Sequence, residues 1–155
     1  VRKAVALLEI QVNKQVQQTT QEKQANTSST SQTLFNLKLL AYERIILFIE
    51  RIKPDSFIPR TLSPSLPYQE YQLLLINEIR KEFEYNLSQQ LYLSENAWEV
   101  TVNFKDNIIT LINSAATSCP PQATASDLAR KILEHYISSD LKGDQILKIV
   151  KAEIQ

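Results

Sequence analysis

Segment 33–53, TLFNLKLLAYERIILFIERIK, is the feature that most limits the folds open to this chain. Its apolar residues recur every three or four positions, which is the spacing of one helix face. That face consists of Phe35, Leu39, Tyr42, Ile46 and Ile49, and it is widened by Leu37, Leu40, Ile45 and Leu47. A helix that is apolar on most sides is usually covered by other helices. The segment therefore predicts the central, most buried helix of an all-α bundle.

Further helices are predicted after this segment. Residues 68–88 have inward positions at helical spacing, and two shorter helical patterns lie before and after Gly143. Thr124 with Asp127 resembles a capping box at the start of the first of these. Residues 54–67 contain four of the six prolines and predict an extended crossover loop, pinned to the core by Phe57, Ile58 and Leu62. We expect a helical bundle of about four to five helices over residues 33–155.

Residues 94–116 fit two structures. WEVTVNF alternates apolar and polar residues as a strand does, and KDN could turn it into IITLI to complete a hairpin. The same residues keep helical spacing for some 20 positions, and Ser94 is a suitable N-cap. A lone hairpin would have no sheet to join. We therefore predict a helix, with the hairpin as the alternative.

Residues 1–32 predict a stalk outside the bundle. A narrow apolar stripe, typical of a coiled coil, predicts a helix over residues 1–16. We call this stripe the seam; it consists of Val5, Leu8, Val12 and Val16. Residues 17–32, QQTTQEKQANTSSTSQ, have almost nothing to bury and predict a polar linker, whose start could continue the first helix as a solvated extension. The predicted domains are therefore 1–32, an N-terminal helix and linker, and 33–155, a helical domain.

The chain contains no Met and opens within a helical pattern, VRKAVALLEIQV, so we expect a segment upstream of Val1. No run of about 18 apolar residues occurs in the sequence, and the residues given contain no predicted membrane span.

Composition argues against several chemistries. The single glycine excludes a phosphate loop or dinucleotide fingerprint, which needs several glycines. Seventeen basic residues balance seventeen acidic ones, so no general attraction to nucleic acid is expected. One Cys, Cys119, can form neither an intrachain disulfide nor a thiolate metal cluster. We expect no catalytic residue, no cofactor and no bound metal ion.

Two sets of residues keep an enzymatic alternative open. His135 is the only histidine, and the pairs Glu78/Glu82 and Glu95/Glu99 are spaced four residues apart, as metal ligands on helices can be. Basic residues at helical spacing, such as Arg80, favour solvated charged faces instead. The alternative function is therefore a small enzyme or metal-binding helical protein using His135 with helix carboxylates.

Segment 85–100, YNLSQQLYLSENAWEV, contains a glycosylation triplet that starts at Asn86, and the only tryptophan, Trp98. Asn is also a good helix C-cap and Ser a good turn residue, which favours a junction between two helices. We expect five side chains to anchor the helices to one another: Tyr42, Ile46, Phe83, Trp98 and Phe104.

LAYERIILFIERIKP and EIRKEFEYNLSQQLYLSENAWE together resemble an uncharacterised helical family of the Bacteroidota. The resemblance covers roughly residues 34–137 and carries no known activity. It implies an N-terminal transmembrane anchor, a polar helical linker and a domain at the bacterial inner membrane. Arg2 and Lys3 would then place the domain on the cytoplasmic side. We expect a non-enzymatic, membrane-tethered interaction or scaffold module that binds a protein partner or self-associates and does not bind nucleic acid.

Overall fold

A computed structural model of the chain describes residues 2–154. Over this range the α-helices are α1 (Arg2–Ile52), α2 (Pro54–Thr61), α3 (Tyr68–Tyr85), α4 (Glu95–Thr117), α5 (Ala125–Ser138) and α6 (Gly143–Ala152). A 3₁₀ helix, Leu87–Tyr92, lies between α3 and α4. Residues 2–154 contain no β-strand, only an isolated bridge between Pro67 and Thr124. The predicted all-α class is confirmed.

The chain divides into two units between Lys38 and Leu39. We call residues up to Lys38 the N-terminal unit and residues from Leu39 the C-terminal unit. Both contain part of α1. The boundary lies six residues after the one expected from the sequence, and the apolar residues Leu34, Phe35 and Leu37 before it are exposed.

The core lies in the C-terminal unit. Its largest fully buried side chains come from five helices and include Phe48, Phe57, Tyr71, Phe104 and Leu128. α1 contributes one face, which consists of Ala41, Tyr42, Ile45, Phe48, Ile49 and Ile52.

The prediction that segment 33–53 is buried on most sides was wrong. Phe35 and Leu47 are each 53% exposed, and Leu40 is 52% exposed. The apolar stripe on α1 is covered on one face only, and only from Ala41 onward. Segment 33–53 is thus an amphipathic helix at the edge of the core, with apolar side chains left on its outer face.

Residues 17–32 are helical throughout, where a linker was predicted. The segment contains neither Gly nor Pro, so nothing in its backbone chemistry interrupts the helix. Thr hydroxyls bond to the carbonyl four residues back, as Thr19 does to Gln15 at 2.9 Å and Thr27 to Lys23 at 2.9 Å. These local bonds satisfy the polar side chains without interrupting the helix.

The predicted extended loop over 54–67 was also wrong for its first half. Pro54 occupies the first helical position, where its missing N–H costs nothing, and α2 follows. Pro59 lies inside α2, and the helix ends two residues later at Thr61. Phe57 and Ile58 are buried, so this part of the chain is pinned to the core by the residues predicted for that role.

Residues 95–117 form a single helix, α4, and the hairpin alternative was wrong. Ser94 is the N-cap: its hydroxyl oxygen accepts a bond from the backbone N–H of Ala97 at 3.0 Å. Thr124 and Asp127 form the predicted capping box of α5, in which each side chain accepts from the other's backbone N–H. Both helices therefore begin where their local sequence predicted.

Gly143, the only glycine, is required by close packing. A Cβ atom at this position would lie 2.3 Å from Cδ of Lys53 and 3.0 Å from the hydroxyl of Tyr136. The Gly143 N–H donates to that hydroxyl at 2.9 Å. Lys53 is 8% exposed and forms ion pairs with Asp144 at 3.0 Å and Glu50 at 3.2 Å. The Gly143 N–H therefore joins α6 to α5, and the ion pair of Lys53 with Asp144 joins α6 to the residue that follows α1.

None of the helices within residues 2–154 combines the length and apolar character needed to cross a membrane.

Candidate functional site

The N-terminal unit presents an uncovered helix. Every side chain from Lys3 to Leu40 is exposed, including the large apolar ones. The seam residues Val5, Leu8, Val12 and Val16 are 51%, 61%, 56% and 59% exposed. Residues at this spacing lie on one face of a helix. The seam is thus a continuous apolar face about three turns long that nothing within the N-terminal unit covers.

Part of the seam forms a shallow recess. Val5, Leu8 and Val12 line it together with Glu9 and Asn13. Leu7 and Ile10 are also exposed but fall between seam positions, on the other side of the helix. A second helix could place side chains into the recess, as knobs enter holes in a coiled coil.

The C-terminal unit has an open groove of about 800 Å³ between α1 and α3. From α1 it is lined by Leu47 and Phe48 and by two cations, Arg44 and Arg51. Leu47 is 53% exposed, whereas Phe48 is buried and belongs to the core. The groove therefore has an apolar α1 side bordered by positive charge.

The α3 side of the groove is mainly acidic. Glu78, Glu82 and Glu84 line it with Lys81, and Tyr85, which is 77% exposed, closes one end with Asn86. Glu82 links the two sides: its Oε1 accepts from Nη2 of Arg51 at 2.8 Å and lies 3.7 Å from Nη1 of Arg60. The hydrogen bond from Arg51 to Glu82, with the carboxylate's charge, raises the pKa of Arg51.

The predicted anchors lie at two depths. Tyr42 and Phe104 are 8% and 1% exposed, and Ile46, Phe83 and Trp98 are half-buried against the core. The rings of Phe83 and Trp98 stack with centroids 5.4 Å apart, and Nζ of Lys105 lies 4.0 Å from the Phe83 ring centroid. These contacts join α3 to α4.

Segment 85–100 has the geometry of a helix junction. Asn86 caps α3, and its side-chain amide donates to the carbonyl of Glu82 at 2.8 Å. Ser94 then caps α4, and Trp98 packs on α3 through Phe83. Asn86, Ser94 and Trp98 therefore all have structural contacts that account for their presence.

Glu153 is a residue that sequence reasoning missed. Its carboxylate accepts hydrogen bonds from the Tyr42 hydroxyl at 3.0 Å, from the Asn96 amide at 2.8 Å and from the Ser94 hydroxyl. The bonds from Ser94 and Asn96 lower the pKa of Glu153. The C-terminal end of the described chain is thereby tied to α1 and α4. The partners lie 57 to 111 residues away in sequence, so no local pattern could have shown them.

The residues considered for metal or acid–base chemistry do not form one site. His135 is half-buried on α5. Glu82 of α3 is already engaged by Arg51, and Glu95 and Glu99 are exposed on α4. Within residues 2–154 no three His, Cys, Asp or Glu side chains lie close enough to hold a metal ion.

Cys119 lies half-buried after α4. Burial raises the pKa of the Cys119 thiol, against a smaller opposite effect of Lys131. Since the thiolate is the nucleophilic form, this environment makes the thiol less reactive.

A comparison with protein families finds a match over nearly the whole chain. Residues 3–155 match a family of unknown function, DUF7935. No curated protein and no solved structure matches the chain. The expectation of a family without known activity is confirmed, while the expected Bacteroidota origin and transmembrane anchor receive no support from the match or from the fold.

Proposed function

The chain belongs to the DUF7935 family, and we propose that it is a non-enzymatic helical interaction or scaffold module whose binding element is α1. The observation that carries this proposal is the uncovered apolar seam on the N-terminal unit. Isolated helices are marginal in water, and most helices in proteins are stabilised by packing of an apolar face. Contiguous exposed apolar surface marks sites of protein interaction. A second helix on the seam would supply the packing that the N-terminal unit lacks.

The spacing of the seam favours a helix as the binding partner. Val5 to Val12 spans seven residues, with Leu8 between them, which is the a/d spacing of a coiled coil. The continuation to Val16 gives an 11-residue interval from Val5, so the stripe follows the helix closely. A helix from a protein partner or from a second copy of the chain fits such a face.

Membrane tethering belongs to the same proposal, and it rests on the sequence resemblance of residues 34–137 alone. The tether would hold the module at the bacterial inner membrane, with the C-terminal unit in the cytoplasm and the seam near the membrane. Fractionation of the native host with a tagged full gene product tests the tether. Recovery in the soluble fraction would contradict it and leave the role of the seam unaffected.

The seam is tested by replacing Val5, Leu8, Val12 and Val16 with Ser in the full chain. We expect self-association measured by sedimentation, or capture of a partner from the native host, to weaken by at least about tenfold. Helix content measured by circular dichroism should also fall, because the N-terminal unit loses its packing face.

The matched control changes Leu7 and Ile10 to Ser. These side chains are 63% and 53% exposed, like those of the seam, but lie off it. The control variant should behave as the wild type. An equal loss of association in both variants would show non-specific apolar association rather than a binding face. A loss of association in the control alone would place the binding face elsewhere on α1.

A further inference from the structure

We propose that the groove between α1 and α3 is a second interaction surface, through which two copies of the chain pack groove to groove about a two-fold axis. The groove is built from the C-terminal unit alone and shares no residue with the seam. This inference therefore stands independently of the proposed function of the seam.

Exposed apolar side chains at the groove motivate the inference. Leu47 of α1 and Tyr85 of α3 both line the groove, and they are 53% and 77% exposed. Leu40 is 52% exposed and lies seven residues before Leu47, on the same side of α1. Tyr is enriched at the centre of protein interfaces because it buries a large area and keeps a polar tip.

The charges of the groove point to a second copy as the occupant. On the α1 side Arg44 and Arg51 give two positive charges, and on the α3 side three Glu and one Lys give a net charge of minus two. Only Arg51 and Glu82 form an ion pair across the groove, at 2.8 Å. Among the described residues, Arg44, Glu78, Lys81 and Glu84 form no ion pair.

A two-fold axis satisfies these charges in a symmetric way. It places the α1 side of each copy against the α3 side of the other, so that Arg44 of one copy faces the acidic α3 side of its partner, which carries Glu78 and Glu84. A two-fold interface must be complementary to itself, and a surface of one charge sign would repel its copy. The groove has both signs on opposite sides of an apolar centre, which is the arrangement such an interface requires.

The experiment measures self-association of the full chain by sedimentation velocity in a background where the seam residues are Ser. This background removes association through the seam, so any remaining dimer is assigned to another surface, and the groove variants test whether that surface is the groove. Leu47→Glu should weaken that dimer by at least about tenfold, because it places a charge at the apolar centre. Leu73→Glu is the matched control, since Leu73 is a 63% exposed leucine of α3 that does not line the groove. It should leave the dimer unchanged.

Charge reversal tests the symmetry. Arg44→Glu and Glu84→Arg should each weaken the dimer, and the double variant should recover most of the loss because the two sides are again opposite in charge. Circular dichroism melts confirm that each variant is folded.

If the chain with Ser at the seam positions is monomeric at every concentration, the groove dimer is excluded. If the wild type associates under the same conditions, the proposed function of the seam is unaffected. A dimer that resists Leu47→Glu, or responds equally to Leu73→Glu, would place the contact elsewhere. If the double variant dimerises more weakly than either single variant, the two-fold arrangement is excluded.

Discussion

At the scale of single residues, the polar contacts that join distant parts of the chain are few and specific. The carboxylate of Glu153 accepts from Tyr42, Ser94 and Asn96 and so connects the last helical turn to α1 and α4. The hydroxyl of Tyr42 also accepts from the backbone N–H of Ser94 at 3.2 Å. Hydrogen bonds to a charged group are stronger than those between neutral groups, so this cluster stabilises the closed bundle.

The Glu153 cluster predicts acid sensitivity. The pKa of Glu153 is lowered from its ordinary value of about 4.5 by the bonds from Ser94 and Asn96. The stability that these bonds give is therefore fully present above pH 4.5 and is lost as the pH falls through the lower pKa of the folded state. We expect Glu153→Gln to lower the Tm at pH 7 by about 2–4 °C, after allowance for the exposure of the group.

The Tm difference between wild type and Glu153→Gln should shrink as the pH falls below that ordinary value, because protonation removes the same charge in the wild type. Thermal melts from pH 7 to acid, read by circular dichroism, measure it. Glu134→Gln, at an exposed acid of α5, serves as the control and should track the wild type. A constant difference at every pH would show that the effect of Glu153 is not electrostatic.

Local contacts could be predicted from the sequence and distant ones could not. Ser94 as an N-cap and Thr124 with Asp127 as a capping box involve residues three positions apart, so the pattern contains both partners. Glu153 and Lys53 bond to residues brought near by folding alone. The seam residues could be chosen from their spacing in the sequence. The groove could not be predicted, because it depends on the packing of α1 beside α3.

At the scale of helices, α1 differs along its length. From Ala41 to Ile52 one face is buried in the core, whereas residues 17–33 have no large apolar side chain to pack. The polar stretch is rich in Ser and Thr, which are weaker helix formers than Ala, Leu, Lys, Glu or Gln. Its helix relies on its backbone bonds, while Thr hydroxyls such as that of Thr30, which donates to the carbonyl of Asn26 at 2.8 Å, satisfy only their own polar groups.

Hydrogen exchange should reveal this difference. Amides of residues 17–33 should exchange at least about a hundredfold faster than those of residues 41–52 in the same helix, because local opening there exposes no buried surface. Residues 5–16 should be slower than 17–33 wherever the seam is occupied. Mass spectrometry of peptides from α1 measures all three segments in one experiment. Uniform slow exchange along α1 would mean that the polar stretch is also packed in solution.

Two segments are more helical than the sequence predicted. Proline does not prevent α2, because Pro54 favours the first turn and Pro59 lies only two residues from the end. Low apolar content does not prevent a helix over residues 17–32, because no Gly or Pro breaks it. α4 was predicted correctly because a 20-residue helical pattern outweighs a seven-residue alternation.

At the scale of the whole molecule, the division between Lys38 and Leu39 separates a helix without a core from a bundle with one. The buried side chains begin at Ala41, and no side chain from Lys3 to Leu40 is buried. The all-α class followed from periodicity, but the division lies after the apolar residues Leu34, Phe35 and Leu37. Periodicity shows that a face is apolar, and only the folded chain shows whether something covers it.

Removal of the N-terminal unit tests this division. A chain starting at Leu39 should keep its Tm within about 3 °C of the full chain, because the deletion removes no buried side chain and a change of 1 kcal/mol corresponds to a few degrees. A chain starting at Ile45 is the matched control: it loses only six more residues, but these include the buried Ala41 and Tyr42 and the bond from Tyr42 to Glu153. Loss of a buried aromatic side chain costs about 3–5 kcal/mol, so this control should melt far lower or fail to fold. If the chain starting at Leu39 also unfolds, the exposed helix contributes to the stability of the bundle, and the N-terminal unit is not a separable binding element.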